Sequence, residues 1–298
     1  MLGDVLEQSY GRFGRRSRCD QSPQRPACSR TSAMKTARYV RSVLFLIVTL
    51  PLTAAACGDS RGPMAPSQPR LPVVRETANF RFHYAAGDSV DVDWQESYHT
   101  WAVSRLGLRL TQKIDYFKYQ SRQDMGDHTG NYNTNGFAEP ERLEVHTLWP
   151  TDNHEVVHIY TALAGRPSDF FNEGIAVALQ TDPARFQFES VFNGVEVHRA
   201  CRQYLQAGTL VVPLDRVVST TDFRAISDST LSYREAGSFI RFVLDRYGVA
   251  PTLEFFRLSS RTDNLAVIKA RFQGAFGASL GDVESAWLAM LRNLGSAT

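Results

Sequence analysis

The chain of 298 residues carries 33 Lys and Arg against 31 Asp and Glu, a formal net charge of +2. Nine of the basic and three of the acidic residues fall in the first 56, which leaves 24 basic and 28 acidic residues, or −4, in the remainder. Because the remainder is slightly acidic and has no Lys/Arg cluster interleaved with aromatic residues, we expect no nucleic-acid partner.

An export signal is predicted near the N-terminus. Residues 1–33 are rich in Arg, Ser, Gln and Pro without an apolar period, which predicts a disordered or non-native extension. The basic stretch Met34–Arg41 then precedes the apolar run Val43–Leu52, and three alanines come directly before Cys57. This order resembles a bacterial lipoprotein signal over residues 34–56, with a lipid anchor at Cys57 and a location in the cell envelope. An uncleaved N-terminal anchor is the alternative, although the apolar run is short for a membrane span.

A tether and one folded region are predicted after the signal. Residues 57–72 are rich in Pro and Ser, a composition typical of a spacer without a core. With Cys57 lipidated and the signal removed, Cys201 stands alone, so no disulfide framework is predicted. We divide the rest into an α/β subdomain at 73–182, which holds the metal site, and a helical subdomain at 183–298.

Hydrophobic periodicity predicts a β-α-β start for the folded region. Strands are predicted at Asn79–Tyr84 and Lys113–Tyr119, with a helix at Trp94–Leu106 between them. The Gly-, Asn- and Asp-rich segment Asp127–Asn135 predicts a loop, and Gly136–Trp149 contains a further strand.

The run from His154 to His158, His-Glu-Val-Val-His, predicts a zinc site. Residues four apart lie on nearly the same face of an α-helix, so His154 and His158 can direct both imidazoles at one cation. Glu155 lies beside that face, where it can take a proton from a water as a general base does. Hydrolytic zinc usually has three protein ligands and one open position, so a third ligand is needed.

Glu173 is the predicted third ligand. A turn with Gly165 in a left-handed conformation and Pro167 after it would end the first helix and let a second helix return. The small residues Gly174 and Ala176 would let these two helices approach closely. The alternative is a buried helix with an unrelated histidine pair, but buried histidines need polar partners, which favours the metal.

Helical periodicity dominates after Gln180. Helices are predicted at Val191–Gln206, Tyr233–Tyr247, Thr252–Leu258, Leu265–Phe272 and Val283–Leu294. The whole pattern predicts an α+β fold, with an N-terminal mixed sheet and zinc-binding helix followed by an α-helical C-terminal half.

The chain resembles the gluzincin branch of the zincin metallopeptidases, and within it the peptidase MA-like proteins. The resemblance rests on the HExxH run, on Asn-Glu-Gly-x-Ala around Glu173 and on later motifs such as Tyr233–Phe239. It implies a zincin-like fold with one Zn²⁺ on His154, His158 and Glu173. It also implies hydrolysis of peptide bonds in a peptide or protein substrate, with Glu155 as the catalytic base.

Two further features are implied by the resemblance. Tyr233 matches the place of a residue that steadies the oxyanion, although a tyrosine that only packs one helix on another is an equal alternative. The segment Gly136–Ala138 matches an edge strand that pairs with the substrate backbone, or it is an ordinary edge strand.

One position departs from the thermolysin-like members. They carry an Asp that orients the first histidine where Val177 stands here, so the partner of His154 is unassigned, with Asp152, Asn153 and Asn172 as nearby polar candidates. Two other functions stay open. The chain could be a catalytically silent lipoprotein that binds a partner, with a structural or vestigial metal site, or a metal-free protein on the same scaffold.

Overall fold

A five-stranded mixed sheet forms the N-terminal part of the protein. The structure is a computed structural model that describes residues 68–180 and 190–295. The strands are β1 (Val73–Glu76), β2 (Phe80–Tyr84), β3 (Ile114–Lys118), β4 (Gly136–Glu139) and β5 (Glu144–Thr147), in the order β1-β2-β3-β5-β4. The three central strands are parallel, and β1 and β4 run antiparallel at the two edges. The predicted N-terminal mixed sheet is therefore confirmed.

Some predictions concern residues outside the described ranges. They are the extension at 1–33, the export signal at 34–56, lipid attachment at Cys57, most of the tether and the subdomain boundary between 182 and 183. The described residues all fall in one compact unit. Within the described ranges, no helix is both long enough and apolar enough to cross a membrane.

The helices are concentrated in the C-terminal half, as predicted. The described ranges contain α1 (Val92–Leu106), α2 (Arg122–Thr129), α3 (Asn153–Ala162), α4 (Asp169–Leu179), α5 (Val197–Ala207), α6 (Thr220–Ala225), α7 (Ser229–Tyr247), α8 (Val249–Leu258), α9 (Leu265–Phe276) and α10 (Leu280–Asn293). A hairpin of β6 (Val191–Phe192) and β7 (Val195–Glu196) precedes α5. The sequence did not predict α6, which is only six residues long.

Two element predictions were wrong for local reasons. The helix predicted from Val191 begins only at Val197, because Asn193 and Gly194 adopt left-handed φ angles of 49° and 72° and form a hairpin turn. The loop predicted from Asp127 instead begins with the last turn of α2. Ser121 caps that helix by accepting the amide of Asp124 at 3.1 Å.

The sheet separates two environments, because alternate residues of a strand point to opposite faces. On one face Tyr116 and Val145 are fully buried in the main core together with Val156 of α3. On the other face the ring of His146 stacks between Phe117 and Phe137, at centroid distances of 4.9 and 4.6 Å. The helix α3 and its histidines therefore lie on the opposite side of the sheet from His146.

Gly174 and Gly165 make contacts other than those predicted from the sequence. A Cβ at Gly174 would lie 2.7 Å from the carbonyl oxygen of Ala236, so the missing side chain brings α4 against α7 rather than against α3. Gly165 has no left-handed φ. Its missing Cβ, which would meet the carbonyl oxygen of Phe256 at 2.1 Å, lets the turn after α3 lie on the end of α8.

This packing predicts a stability difference between two glycine substitutions. Gly174→Ala should lower the free energy of unfolding by about 1–3 kcal/mol, because the new methyl group meets the backbone of Ala236 and the side chain of Ile240 at 2.6 Å. Gly274→Ala is the matched control in helix α9. It has no atom within 4 Å of the new Cβ, so it should be neutral or stabilising by up to about 1 kcal/mol. Urea unfolding of both variants measures the difference, and equal destabilisation would contradict it.

A buried acid on α7 predicts pH-dependent stability. Glu235 is fully buried, and burial, together with the charge of Glu284, raises its pKa to about 8 even though its carboxylate accepts the amide of Val211 at 3.0 Å. Folding therefore favours the protonated acid, and stability is lost as the pH rises from about 4.5 through 8. Glu235→Gln removes this titration, so its stability advantage over the wild type should grow by about 2–4 kcal/mol between pH 5 and pH 8.5. Urea unfolding with chelator at both pH values tests this, and a constant difference would refute it.

Candidate metal centre

The first turn of α3 presents the histidine pair. Asp152 caps the helix by accepting the amide of Glu155 at 3.2 Å, which fixes where the helix begins. His154 and Glu155 consequently lie in the first turn, and His158 follows one turn later. The two imidazole rings are 4.9 Å apart between centroids and nearly perpendicular, at 82°. Both ring edges can thus face one point.

The helix α4 brings Glu173 to that point. Its Oε2 atom lies 3.2 Å from Nε2 of His154 and 3.4 Å from Nε2 of His158. All three ligand atoms lie within 4.8 Å of one another. The structure therefore brings together the three residues predicted from the sequence as ligands.

These distances fit a tetrahedral cation. Two ligands bonded at about 2.0–2.2 Å to tetrahedral zinc lie about 3.3–3.5 Å apart, close to the 3.2 and 3.4 Å between Glu173 and the histidines. A direct charge-assisted hydrogen bond would be shorter, about 2.7–2.9 Å. Two imidazoles and one carboxylate also form a ligand set typical of catalytic zinc. The residues present fit the ion that the sequence predicts.

His154 is oriented by a residue that the sequence analysis missed. Its Nδ1 lies 2.6 Å from Oε1 of Gln180, whose Nε2 donates to the carbonyl of Val191 at 2.7 Å. Because the amide nitrogen of Gln180 is already a donor, its oxygen must accept the Nδ1 proton, which directs the Nε2 lone pair at the ligand cluster. The signal was present, since Gln180 follows Glu173 by seven residues, or two helical turns on the same face.

The predicted alternatives have other roles, and the second histidine differs. Asp152 caps α3 and accepts the hydroxyl of Thr147 at 2.7 Å, and Asn153 accepts the indole N–H of Trp94 at 3.3 Å. Within residues 68–180 and 190–295, Nδ1 of His158 is buried without a hydrogen-bond partner. Only the first histidine is thus oriented by a described side chain.

Replacing Gln180 should weaken metal binding without removing a ligand. Gln180→Leu keeps much of the side-chain volume but loses the acceptor for His154, so zinc affinity should fall about 10- to 100-fold. Gln123, whose amide donates to Asp127 one turn further along α2 at 2.9 Å, supplies the control Gln123→Leu. Zinc titration against a chromogenic chelator measures both, and equal affinities for the two variants would show that Gln180 does not orient the ligand.

Glu155 lies between the candidate metal ligands and the edge of the sheet. A Cβ at Gly136 on β4 would lie 3.4 Å from Oε1 of Glu155 and 2.9 Å from Oδ2 of Asp152, so only glycine leaves room for both carboxylates. Burial, followed by the charge of Asp152, raises the pKa of Glu155 to about 7 against the lowering effect of the histidines. A bound dication would lower this pKa again and favour the ionised carboxylate.

Two pKa directions describe the charges of the ligands themselves. Burial lowers the pKa of His154, but its contact with Glu173 and the surrounding carboxylates raise it to about 9, so a cation that binds Nε2 must displace a proton from this ring. Burial raises the pKa of Glu173, but its hydrogen bonds to both histidines hold that pKa well below the usual range. Glu173 is therefore ionised, the state in which a carboxylate can bind a metal.

Tyr233 lies at the side of the same cluster. Its ring stacks on that of His154 at a centroid distance of 6.0 Å, with Phe192 at 5.3 Å and Phe223 at 5.7 Å around it. Burial, followed by the charge of Glu173, raises the pKa of the hydroxyl, and the nearby Arg224 opposes the rise. The hydroxyl is therefore protonated at neutral pH and can donate a hydrogen bond.

A second cluster has the residue types of a metal site but balanced charges. On the other face of the sheet, Glu144 lies 3.3 Å from His146, with Glu139 nearby. Arg142 contacts Glu144 at 3.0 Å and Glu139 at 3.1 Å, and Arg70 contacts Glu144 at 3.1 Å. Because two guanidinium groups already neutralise the two carboxylates, this cluster attracts a cation less than the cluster on α3 and α4.

Comparison with known proteins adds no family to this picture. No family model matches the chain, and no curated protein matches it at a significant level.

Proposed function

We propose that this protein is a zinc-dependent peptidase of the gluzincin type with a zincin-like fold. The observation that carries the proposal is the cluster of Nε2 of His154, Nε2 of His158 and Oε2 of Glu173 at tetrahedral spacing, with the carboxylate of Glu155 beside it. The partly exposed imidazole of His154 leaves the cluster open to solvent on one side. Three ligands with access to solvent are typical of catalytic zinc, whereas structural zinc is usually closed by a fourth protein ligand.

Each residue has a chemical role in this mechanism. Zinc bound by the three ligands would act as a Lewis acid toward a water and the scissile carbonyl. Glu155 accepts the proton of the attacking water and then returns it to the leaving amine. The protonated hydroxyl of Tyr233 donates a hydrogen bond to the oxygen that becomes negative in the transition state. No side chain forms a covalent intermediate.

The edge strand supports an extended peptide as the substrate. Among the described strands, β4 is the last in the sheet, so none pairs with its outer side. Its first residue, Gly136, lies against the side chain of Glu155. A substrate segment that adds to this edge through main-chain hydrogen bonds would pass beside the base, which makes peptide or protein chains the proposed substrate class.

The proposed setting is the bacterial cell envelope. It rests on the predicted signal at residues 34–56 and the predicted lipid anchor at Cys57. Labelling of cells with a fatty acid would test it, because Cys57→Ser should abolish incorporation of the label into this chain. Label in the variant equal to that in the wild type would exclude the anchor.

The proposal is tested by metal analysis together with cleavage of a mixed peptide pool. We expect one zinc per chain, cleavage that stops with chelator, and recovery on adding zinc. Bound zinc without cleavage of any peptide would favour the partner-binding alternative. A chain without affinity for zinc would overturn the metal centre itself.

A further inference from the structure

The two oxygens of Glu173 have separate partners. Oε2 faces both histidines, whereas Oε1 accepts a hydrogen bond from Nη2 of Arg224 at 2.9 Å. Arg224 comes from α6, which follows α4 by more than forty residues in the chain. The ligand carboxylate is therefore held from the side away from the histidines by a residue of the C-terminal half.

Arg224 is itself fixed by a buried acid. Its Nε donates to Oδ2 of Asp169 at 2.5 Å, and the Asp169 side chain is only 3% exposed. Arg261 holds the same carboxylate from the other side, at 2.6 Å to Oδ1 and 2.8 Å to Oδ2. Two guanidinium groups thus balance the charges of Asp169 and Glu173 in a chain of ion pairs that ends at the metal ligands.

The spacing of the two acids explains why an arginine is needed. Asp169 and Glu173 are four residues apart on α4, so they lie on one helix face, where two like charges repel. The planar fork of Arg224 donates to both at once through Nε and Nη2. A lysine carries its charge on one flexible ammonium group and cannot reproduce this geometry.

We propose that Arg224 is a positioning residue of the metal centre, which keeps Oε1 of Glu173 away from the cation so that the ligand binds through Oε2 alone. The inference rests on the proposed function and concerns how the same site stays active. A carboxylate free to turn can offer both oxygens to a cation, which would occupy the position that a water needs. By using Oε1 as an acceptor, Arg224 leaves that position open.

If Arg224 had only a structural role, its loss and the loss of Arg261 should have similar effects. Ion pairs between partly exposed side chains contribute little to stability, and the side chain of Arg224 is 48% exposed. If Arg224 only tied α6 to α4, then loss of Arg261, which is 56% exposed and binds the same Asp169 without touching Glu173, should have a similar effect. Arg261→Gln is therefore the matched control for Arg224→Gln.

The experiment measures metal binding by the full chain rather than activity. Zinc affinity is determined by competition with a chromogenic chelator, and the coordination of bound Co²⁺ by its visible absorption. We expect Arg224→Gln and Arg224→Lys to lose about 10- to 100-fold in zinc affinity. Their cobalt absorption should also weaken as the ion changes from four-coordinate to higher coordination. Arg261→Gln should keep the wild-type affinity and spectrum.

Each outcome separates the inference from the proposed function. Unchanged zinc affinity and cobalt spectrum in both Arg224 variants would overturn the inference while leaving the peptidase proposal intact. An Arg261→Gln loss as large as that of Arg224→Gln would assign both residues to a structural tie and also overturn it. A wild-type chain that binds neither ion would overturn the proposed function and the inference together. Thermal unfolding identifies any variant that is not folded, and Arg224→Lys, which keeps the positive charge, then decides the result.

Discussion

Replacing Glu155 with Gln should leave one zinc bound per chain and reduce peptide cleavage about 10²- to 10⁴-fold. The variant side chain has nearly the same shape, so it still fits in the space that Gly136 leaves beside it. It cannot accept a proton from water at any pH near neutrality, because an amide has no basic oxygen lone pair of comparable strength. Zinc content and initial cleavage rates, measured on the same preparations, test both parts of this expectation.

An exposed acid between two strands of the sheet provides the control. Glu141, which is 68% exposed and pairs with Arg166, lies in the short turn between β4 and β5. Glu141→Gln should retain wild-type cleavage and zinc content. If Glu155→Gln kept more than about a tenth of the activity, Glu155 would not be the base. If it lost the zinc instead, the carboxylate would belong to the ligand set rather than beside it.

Local periodicity predicted the cluster of His154, His158 and Glu173 because its geometry is mostly local. The four-residue spacing of His154 and His158 fixes their shared helix face whatever packs around it. Glu173 required one further assumption, a turn and a returning helix, and the structure brings it to the histidines through α4. The turn does not end the first helix as predicted, since Gly165 serves a contact with α8. This error did not affect the prediction for Glu173, because that prediction required only that a second helix return to the histidines.

The residues around the ligands could not be predicted in the same way. Arg224 and Arg261 reach Asp169 from positions 55 and 92 residues away, and no periodicity relates them. Gln180 could be predicted from its spacing to Glu173, but the related pattern places the orienting residue at Val177, three residues earlier. Gln180, about one turn after Val177, contacts His154 from the end of α4 instead.

The helix wrongly predicted from Val191 has a local physical cause. Apolar residues at Val191 and Val195 fit both a helix and a hairpin, and the positive φ angles of Asn193 and Gly194 decide for the hairpin. That choice matters for the site, because the hairpin places Phe192 on the ring of Tyr233 and its Val191 carbonyl on Gln180. A short turn motif therefore supports both the proposed oxyanion donor and the orienter of the first histidine.

The second large effect is expected for Glu173→Gln, which should raise the zinc dissociation constant by about a hundredfold or more. The amide keeps an acceptor for Arg224 or for the cation but loses the charge that a dication requires. At equal free zinc, a hundredfold weaker affinity removes about 2.8 kcal/mol of the stabilisation that zinc gives to the folded state. The zinc-induced shift of the unfolding midpoint measures this loss.

The control for this prediction comes from the other acidic cluster and also tests which cluster binds the ion. Glu144 has a comparable burial and a histidine at 3.3 Å, but two arginines already hold its carboxylate. Glu144→Gln should therefore keep one zinc per chain and the wild-type midpoint shift, whatever it does to the stability of the apo chain. The reverse result, with zinc lost in Glu144→Gln and kept in Glu173→Gln, would move the metal to the opposite face of the sheet. There Glu155 could not act on it, so the peptidase mechanism would have to be abandoned.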